Sequence, residues 1–118
     1  MADPYNPVNP TRAEIDALPG LTLLEFGTDW CGHCQAAQPI ISAAIAAHPA
    51  LRHLRLEDGK GRPLGRSFGV RMWPTLVCLR DGHEIGRLVR PSSTAALQEL
   101  LARAWQERRE QGSSARLQ

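Results

Sequence analysis

The sequence predicts an α/β domain in which a mixed central sheet is covered by helices on both faces. Three observations predict it. An apolar run of strand length, Leu21-Thr22-Leu23-Leu24-Glu25-Phe26, leads through a short loop into Cys31-Gly32-His33-Cys34, and a stretch with helical spacing follows from Gln35 to Ala47. A second strand signal, the alternating Leu51-Arg52-His53-Leu54-Arg55-Leu56, comes after that helix, and a strand–helix–strand unit implies a parallel pair. Farther on, Asp81-Gly82 lies between two strand-like segments and reads as a hairpin turn, which implies an antiparallel pair.

At 118 residues the chain holds one domain with a single core. A net charge of +2 is too small to argue for nucleic acid. No run of about 18 apolar residues marks a membrane span. The start, Met1-Ala2-Asp3-Pro4-Tyr5-Asn6-Pro7, has neither the basic beginning nor the apolar stretch of a secretory signal. Three cysteines do not make a disulfide framework, so a cytoplasmic address is expected. Pro4, Pro7 and Pro10 punctuate residues 1–10, which read as an extended arm. The domain is expected over 11–108, and 109–118 reads as a flexible polar tail.

The elements follow in order. Thr11-Arg12-Ala13-Glu14 matches a capping box and opens a short helix to Leu18, which Pro19-Gly20 ends. Leu21 to Phe26 is a buried strand. The second helix starts at the cysteines and runs to His48, with Pro39 inside it. The second strand spans Leu51 to Leu56, and a short helix from Leu64 to Phe68 ends at Gly69. Thr75 to Leu79 is another buried strand, His83 to Val89 pairs back at the edge, and Ser92 or Ser93 caps a last helix from Thr94 to Arg108.

The chemistry centres on the Cys-x-x-Cys pair. At a strand-to-helix junction this spacing is a redox arrangement. Unpaired N–H groups and the helix dipole favour a thiolate on Cys31, and Cys34 lies one turn on, within reach of a disulfide. Zinc would need two more ligands at matching spacing, and His48, His53 and His83 do not supply them. A carboxylate such as Glu25 in a buried strand must be paired, or neutral through a raised pKa. His53 could approach Glu25 but reads as solvent-facing, Cys78 as inert core, and Arg103, Arg108 and Arg109 as a solvated helix face.

At this point the chain resembles the thioredoxin family over residues 11–108. Trp30-Cys31-Gly32-His33-Cys34 after a buried strand looks like the family's active site, Pro39 like the proline of its active-site helix, Trp73-Pro74-Thr75 like its cis-proline loop, and Asp81-Gly82 like its terminal hairpin. The resemblance implies a thioredoxin-like fold and a thiol–disulfide oxidoreductase. It makes Cys31 the attacking cysteine, Cys34 the resolving one and Glu25 the buried acid that helps take the proton of Cys34, through water. It places Pro74 facing the disulfide and the Trp73 backbone against an extended substrate, with Trp30 and Trp73 as a docking surface. The Gly32-His33 dipeptide resembles protein disulfide isomerase. An imidazole beside the thiolate stabilises the charged form, which points to a potential between about −270 mV and about −180 mV.

Gly27 stands where thioredoxins often carry tryptophan, Trp73 is bulkier than the usual residue there, and Arg90-Pro91 stands where many thioredoxins have glycine. The resemblance implies a protein or small-molecule disulfide as substrate and a separate electron donor. It implies neither metal nor organic cofactor, neither nucleic acid nor membrane, and a monomer. Two other readings remain at this stage: a non-enzymatic thioredoxin-like binding module, and an exported disulfide isomerase or oxidant.

Overall fold

Alternation along the strands decides how the layers stack. In the computed structural model, which describes residues 4–117 and side chains as far as Gln106, four strands form one sheet in the order β2-β1-β3-β4. These are β1 (Leu21–Gly27), β2 (Arg52–Glu57), β3 (Thr75–Arg80) and β4 (His83–Val89). The helices are α1 (Arg12–Asp16), α2 (Gly32–Ile45), α3 (Pro63–Ser67) and α4 (Thr94–Leu117). β1 runs parallel to β2 and antiparallel to β3, and β3 is antiparallel to β4. The mixed sheet is the one expected.

Successive side chains of a strand point to opposite faces. Leu21 and Leu23 of β1 join Leu76 and Cys78 of β3 in a core with Ala37, Ile41 and Ala44 of α2 and Leu97, Leu100, Leu101 and Ala104 of α4. Leu24 and Phe26 join Leu56, Val77 and Leu79 on the other face, under Ile15 of α1, Leu64 of α3 and Phe68 at its C-terminal end. Glu25 therefore falls on the α2 face, in line with Leu21 and Leu23. Arg55 is its direct partner across the parallel pair.

Local chemistry accounts for the ends. The Thr11 side chain accepts from the Glu14 N–H, and the Glu14 carboxylate accepts from the Thr11 N–H, completing the capping box. Ser93, of the two candidate serines, caps α4 by accepting from the Ala96 N–H at 3.2 Å. The helices α1 and α2 stop at Asp16 and Ile45, short of the expected Leu18 and His48. In place of further helix, Leu18 and His48 close single turns, on the carbonyls of Ile15 and Ile45. α4 continues past Arg108 as far as Leu117, where a polar tail was expected. The side chains of Arg108 and Arg109, and residues 1–3 of the arm, lie outside the described residues.

From Pro4 onward the arm docks on the sheet, with a bend at Pro7 and Val8. The Asn6 N–H donates to the Arg55 carbonyl at 2.8 Å, and the Glu57 N–H donates back to the Asn6 carbonyl at 2.9 Å. This parallel bridge covers the free edge of β2 and buries Tyr5.

The β3–β4 turn uses left-handed backbone at both Asp81 (φ 49°) and Gly82 (φ 82°), and a Cβ at Gly82 would meet the Asp16 carbonyl oxygen at 2.0 Å. Gly82→Ala is expected to lower the unfolding free energy by about 2 kcal/mol, read from urea denaturation.

Candidate active site

The two cysteines sit in different environments because the helix begins between them. Cys31 is the N-cap of α2, with extended backbone (φ −80°, ψ 121°), and its Sγ accepts from the Cys34 N–H at 3.4 Å. A sulfur there faces the unpaired N–H groups of the first turn. Cys34, one turn on, is 1% exposed. Burial pushes its thiol up to about 11, against a backbone bond from Thr28 that favours the thiolate. Both cysteines carry free thiols. His33 is exposed in the first turn, and Cys78 is fully buried in the sheet core.

Glu25 has zero exposure, so its charge must be matched within the protein. His53 Nε2 donates to Oε1 at 2.9 Å, since an ionised carboxylate only accepts. Gln38 Nε2 donates to Oε2 at 3.0 Å, the Tyr5 hydroxyl donates to the same oxygen, and the Arg55 guanidinium approaches both oxygens at 3.3 and 3.5 Å. Burial alone would push the carboxyl up. The bonds from His53, Tyr5 and Gln38 and the charge of Arg55 outweigh it and bring it down to about 2. Of the two states open to a buried acid, Glu25 is in the paired and ionised one.

Two residues of this cluster depart from the sequence reading. His53 is not solvent-facing: its side chain is 18% exposed and bonded to Glu25. Alternation alone could not say which face of β2 would be covered, and the face that carries His53 and Arg55 meets Glu25. Tyr5 was read only as part of the arm. It is 3% exposed, its N–H donates to Asp29 Oδ1 at 3.0 Å, and its ring lies 4.1 Å beneath the Arg55 guanidinium. The only trace of it in the sequence is an aromatic residue in a proline-punctuated stretch that would otherwise have nothing to bury.

The outer rim is aromatic. Trp30 is 75% exposed and meets Trp73 edge to face, with ring centroids 5.7 Å apart. Met72 is exposed beside them, and Trp73 packs against the Tyr5, Cys31 and Cys34 cluster. The Trp73 indole N–H donates to Asp58 Oδ2 at 2.9 Å, and Asp58 in turn presses on Gly65, where a Cβ would meet its Oδ1 at 2.3 Å. Asp58, which the sequence did not single out, thus fixes the ring, and α3 carries glycine to admit it. The Trp73–Pro74 peptide is cis, and Pro74 is buried. Arg90 adopts left-handed backbone (φ 49°), where glycine is at home. Its side chain caps the Trp73 carbonyl at 2.9 Å. A carbonyl oxygen has two lone pairs, and the Arg90 guanidinium takes one of them.

A family model described as Thioredoxin matches residues 10–103. The chain is 35% identical to the thioredoxin of Chlamydia muridarum over 85 residues, covering 71% of this chain and 82% of that one. It is 45% identical over 65 residues to protein disulfide-isomerase A2 of Pongo abelii, covering 52% of this chain but 12% of that much longer protein. Among solved structures, thioredoxin 2 from Pseudomonas aeruginosa PAO1 in its reduced form superposes with a TM-score of 0.82 at 52% identity, covering 91% of this chain and 99% of that one.

A depressed acid contributes stability above its unfolded pKa and loses it as pH falls through the folded one. With Glu25 at about 2 in the fold against an ordinary 4.5, the stability it contributes is complete above about pH 4.5 and disappears toward pH 2. Glu25→Gln is expected to flatten that part of the pH–stability curve and to cost about 3 kcal/mol at neutral pH, because the half-buried Arg55 is left beside a neutral group. Chemical denaturation across pH measures both.

Proposed function

From the premise that this chain belongs to the thioredoxin family and is a thiol–disulfide oxidoreductase, we propose that it reduces protein disulfides through a Cys31/Cys34 dithiol–disulfide cycle. The observation that carries the reading is the division between the thiols: Cys31 caps the helix N-terminus, while Cys34 is held buried and protonated beside an ionised Glu25.

The Cys31 thiolate attacks one sulfur of the client disulfide, forms a mixed disulfide and expels the client's other sulfur as a thiolate. Cys34 loses its proton towards Glu25 as its sulfur attacks Cys31. The Cys31–client bond breaks, the second client thiolate leaves and picks up a proton, and Cys31 and Cys34 end as a disulfide. A separate dithiol or thiol reductant restores the pair. One chain carries both sulfurs and the acid, so the cycle needs no second copy. Trp30, Trp73 and Met72 offer the client an apolar ledge, and the Trp73 backbone beside Pro74 offers it a strand edge. His33 lies at the exposed end of α2, next to Cys31, where its ring tunes the charge on sulfur.

The reducing, cytoplasmic direction is the one favoured by a chain whose three cysteines form no disulfide framework. Among the described residues no helix is long and apolar enough to cross a membrane.

A protein-disulfide reduction assay with dithiol reductant in excess tests the reading. Cys31→Ser is expected to reduce turnover to background, whereas Cys34→Ser, reduced and then freed of reductant before it meets the client, is expected to accumulate a client mixed disulfide on Cys31, visible by mass spectrometry. Activity retained in Cys31→Ser would refute the cycle. His33→Pro is expected to move the reduction potential of the pair toward about −270 mV, measured by equilibration with a glutathione or dithiol buffer. An unmoved potential would remove His33 from the tuning role.

A further inference from the structure

Cys34 must lose a proton from a site that is 1% exposed, and the acid expected to receive it already holds a hydrogen bond on that side from a third residue. We propose that the hydroxyl of Tyr5 is the proton carrier between Cys34 and Glu25, so that the N-terminal arm supplies a catalytic residue to the resolving step. This deepens the oxidoreductase reading and rests on it.

The placement has three supports. First, Tyr5 donates to Glu25 Oε2, Gln38 Nε2 donates to the phenol oxygen at 3.4 Å, and the ring packs in one cluster with Cys34. Second, the room for it is made in β1. A Cβ at Gly27 would meet Cys34 Sγ at 2.6 Å and both Cζ and Oη of Tyr5 at 2.8 Å, so the missing side chain at 27 is what lets the phenol reach the sulfur. Third, the ring is held from several directions. Asp29 takes its backbone N–H, Asn6 pairs with β2, and the Arg55 guanidinium covers the ring face. A phenylalanine would fill the same hole. The hydroxyl adds nothing to packing and would be costly in this burial without Glu25 to accept from it and Gln38 to donate to it.

The transfer balances without another reactant. Cys34 passes its proton to the Tyr5 oxygen as Tyr5 passes its own phenolic proton to Glu25 Oε2. The phenol is neutral before and after, the sulfur becomes a thiolate as it bonds to Cys31, and the departing client sulfur carries the negative charge away. Glu25, now neutral, releases its proton to water at the His53 edge of the cluster, where the side chain is 18% exposed. Moving the proton in concert with sulfur attack spares the site a free buried thiolate.

Rapid mixing of the reduced protein with a chromogenic aryl disulfide separates the steps, because Cys31 attack and Cys34 attack each release one coloured thiolate. Tyr5→Phe is expected to leave the first release within about 2-fold and slow the second by about 100-fold, the size of a positioned proton-transfer group. In Glu25→Gln the same substitution is expected to have little further effect, because both belong to one relay. A second release at the wild-type rate in Tyr5→Phe overturns the proposal, and so do effects of the two substitutions that multiply. Should Tyr5→Phe fold poorly, the wild-type rate of the second release in mixtures of light and heavy water decides. A curved dependence on deuterium fraction reports two protons in flight and supports the relay, and a linear one overturns it. A wild-type protein that releases no coloured thiolate at all overturns the oxidoreductase reading itself, and the role of Tyr5 with it.

Discussion

One buried negative charge organises the active side of this molecule. Glu25 lies in the middle of the central strand, on the face that packs against α2, and no part of it reaches solvent. An isolated carboxylate there would be far too costly, so the neighbourhood is built to match it. The parallel register sets Arg55 directly opposite, and alternation puts His53 on the same face. Gln38, one turn beyond Cys34 on α2, closes the cluster from above and also donates to the Cys34 carbonyl at 3.0 Å. Helix, strand and redox pair are thereby tied to one carboxylate.

That constraint reaches the N-terminal arm as well. Arg55 cannot be left with one face to water and the other to a carboxylate without weakening the pair, and the Tyr5 ring covers it. The arm then completes the edge of β2 through Asn6, which leaves that edge less able to pair with another chain. Gly27 belongs to the same solution. Where a thioredoxin often places a tryptophan, this chain places nothing, and the space is filled from residue 5. The docking of the arm and the glycine in β1 are two halves of one packing decision.

The outer half of the site obeys a different rule. Around Cys31 the protein keeps apolar area in water: Trp30 and Met72 are exposed, and Trp73, packed on the cysteine cluster, is held at its indole N–H by Asp58. Exposed aromatic surface at the mouth of a reactive thiol is costly for solubility and useful for holding an extended chain long enough for exchange. Charge is buried and paired behind the cysteines, apolar surface is displayed in front of them, and the cysteines sit on the boundary.

The sequence by itself determined whatever depends on neighbours along the chain. The Thr11–Glu14 box, the Asp81-Gly82 hairpin, the full extent of β4 and the cysteine at the head of α2 are written in short spans, because capping, left-handed turns and helix termini are local properties of the backbone. The single acid in an otherwise apolar strand announced that something must meet it. What meets it was decided by tertiary structure alone. Tyr5, Gln38, His53 and Arg55 come from an arm, a helix and a strand separated by up to 50 positions, and they converge because sheet register and a vacant side chain at Gly27 leave room for them. Neither a strand's pairing partner nor a cavity left by a glycine has a periodicity of its own. His53, on an alternating strand, therefore read as solvent-facing, although it meets Glu25.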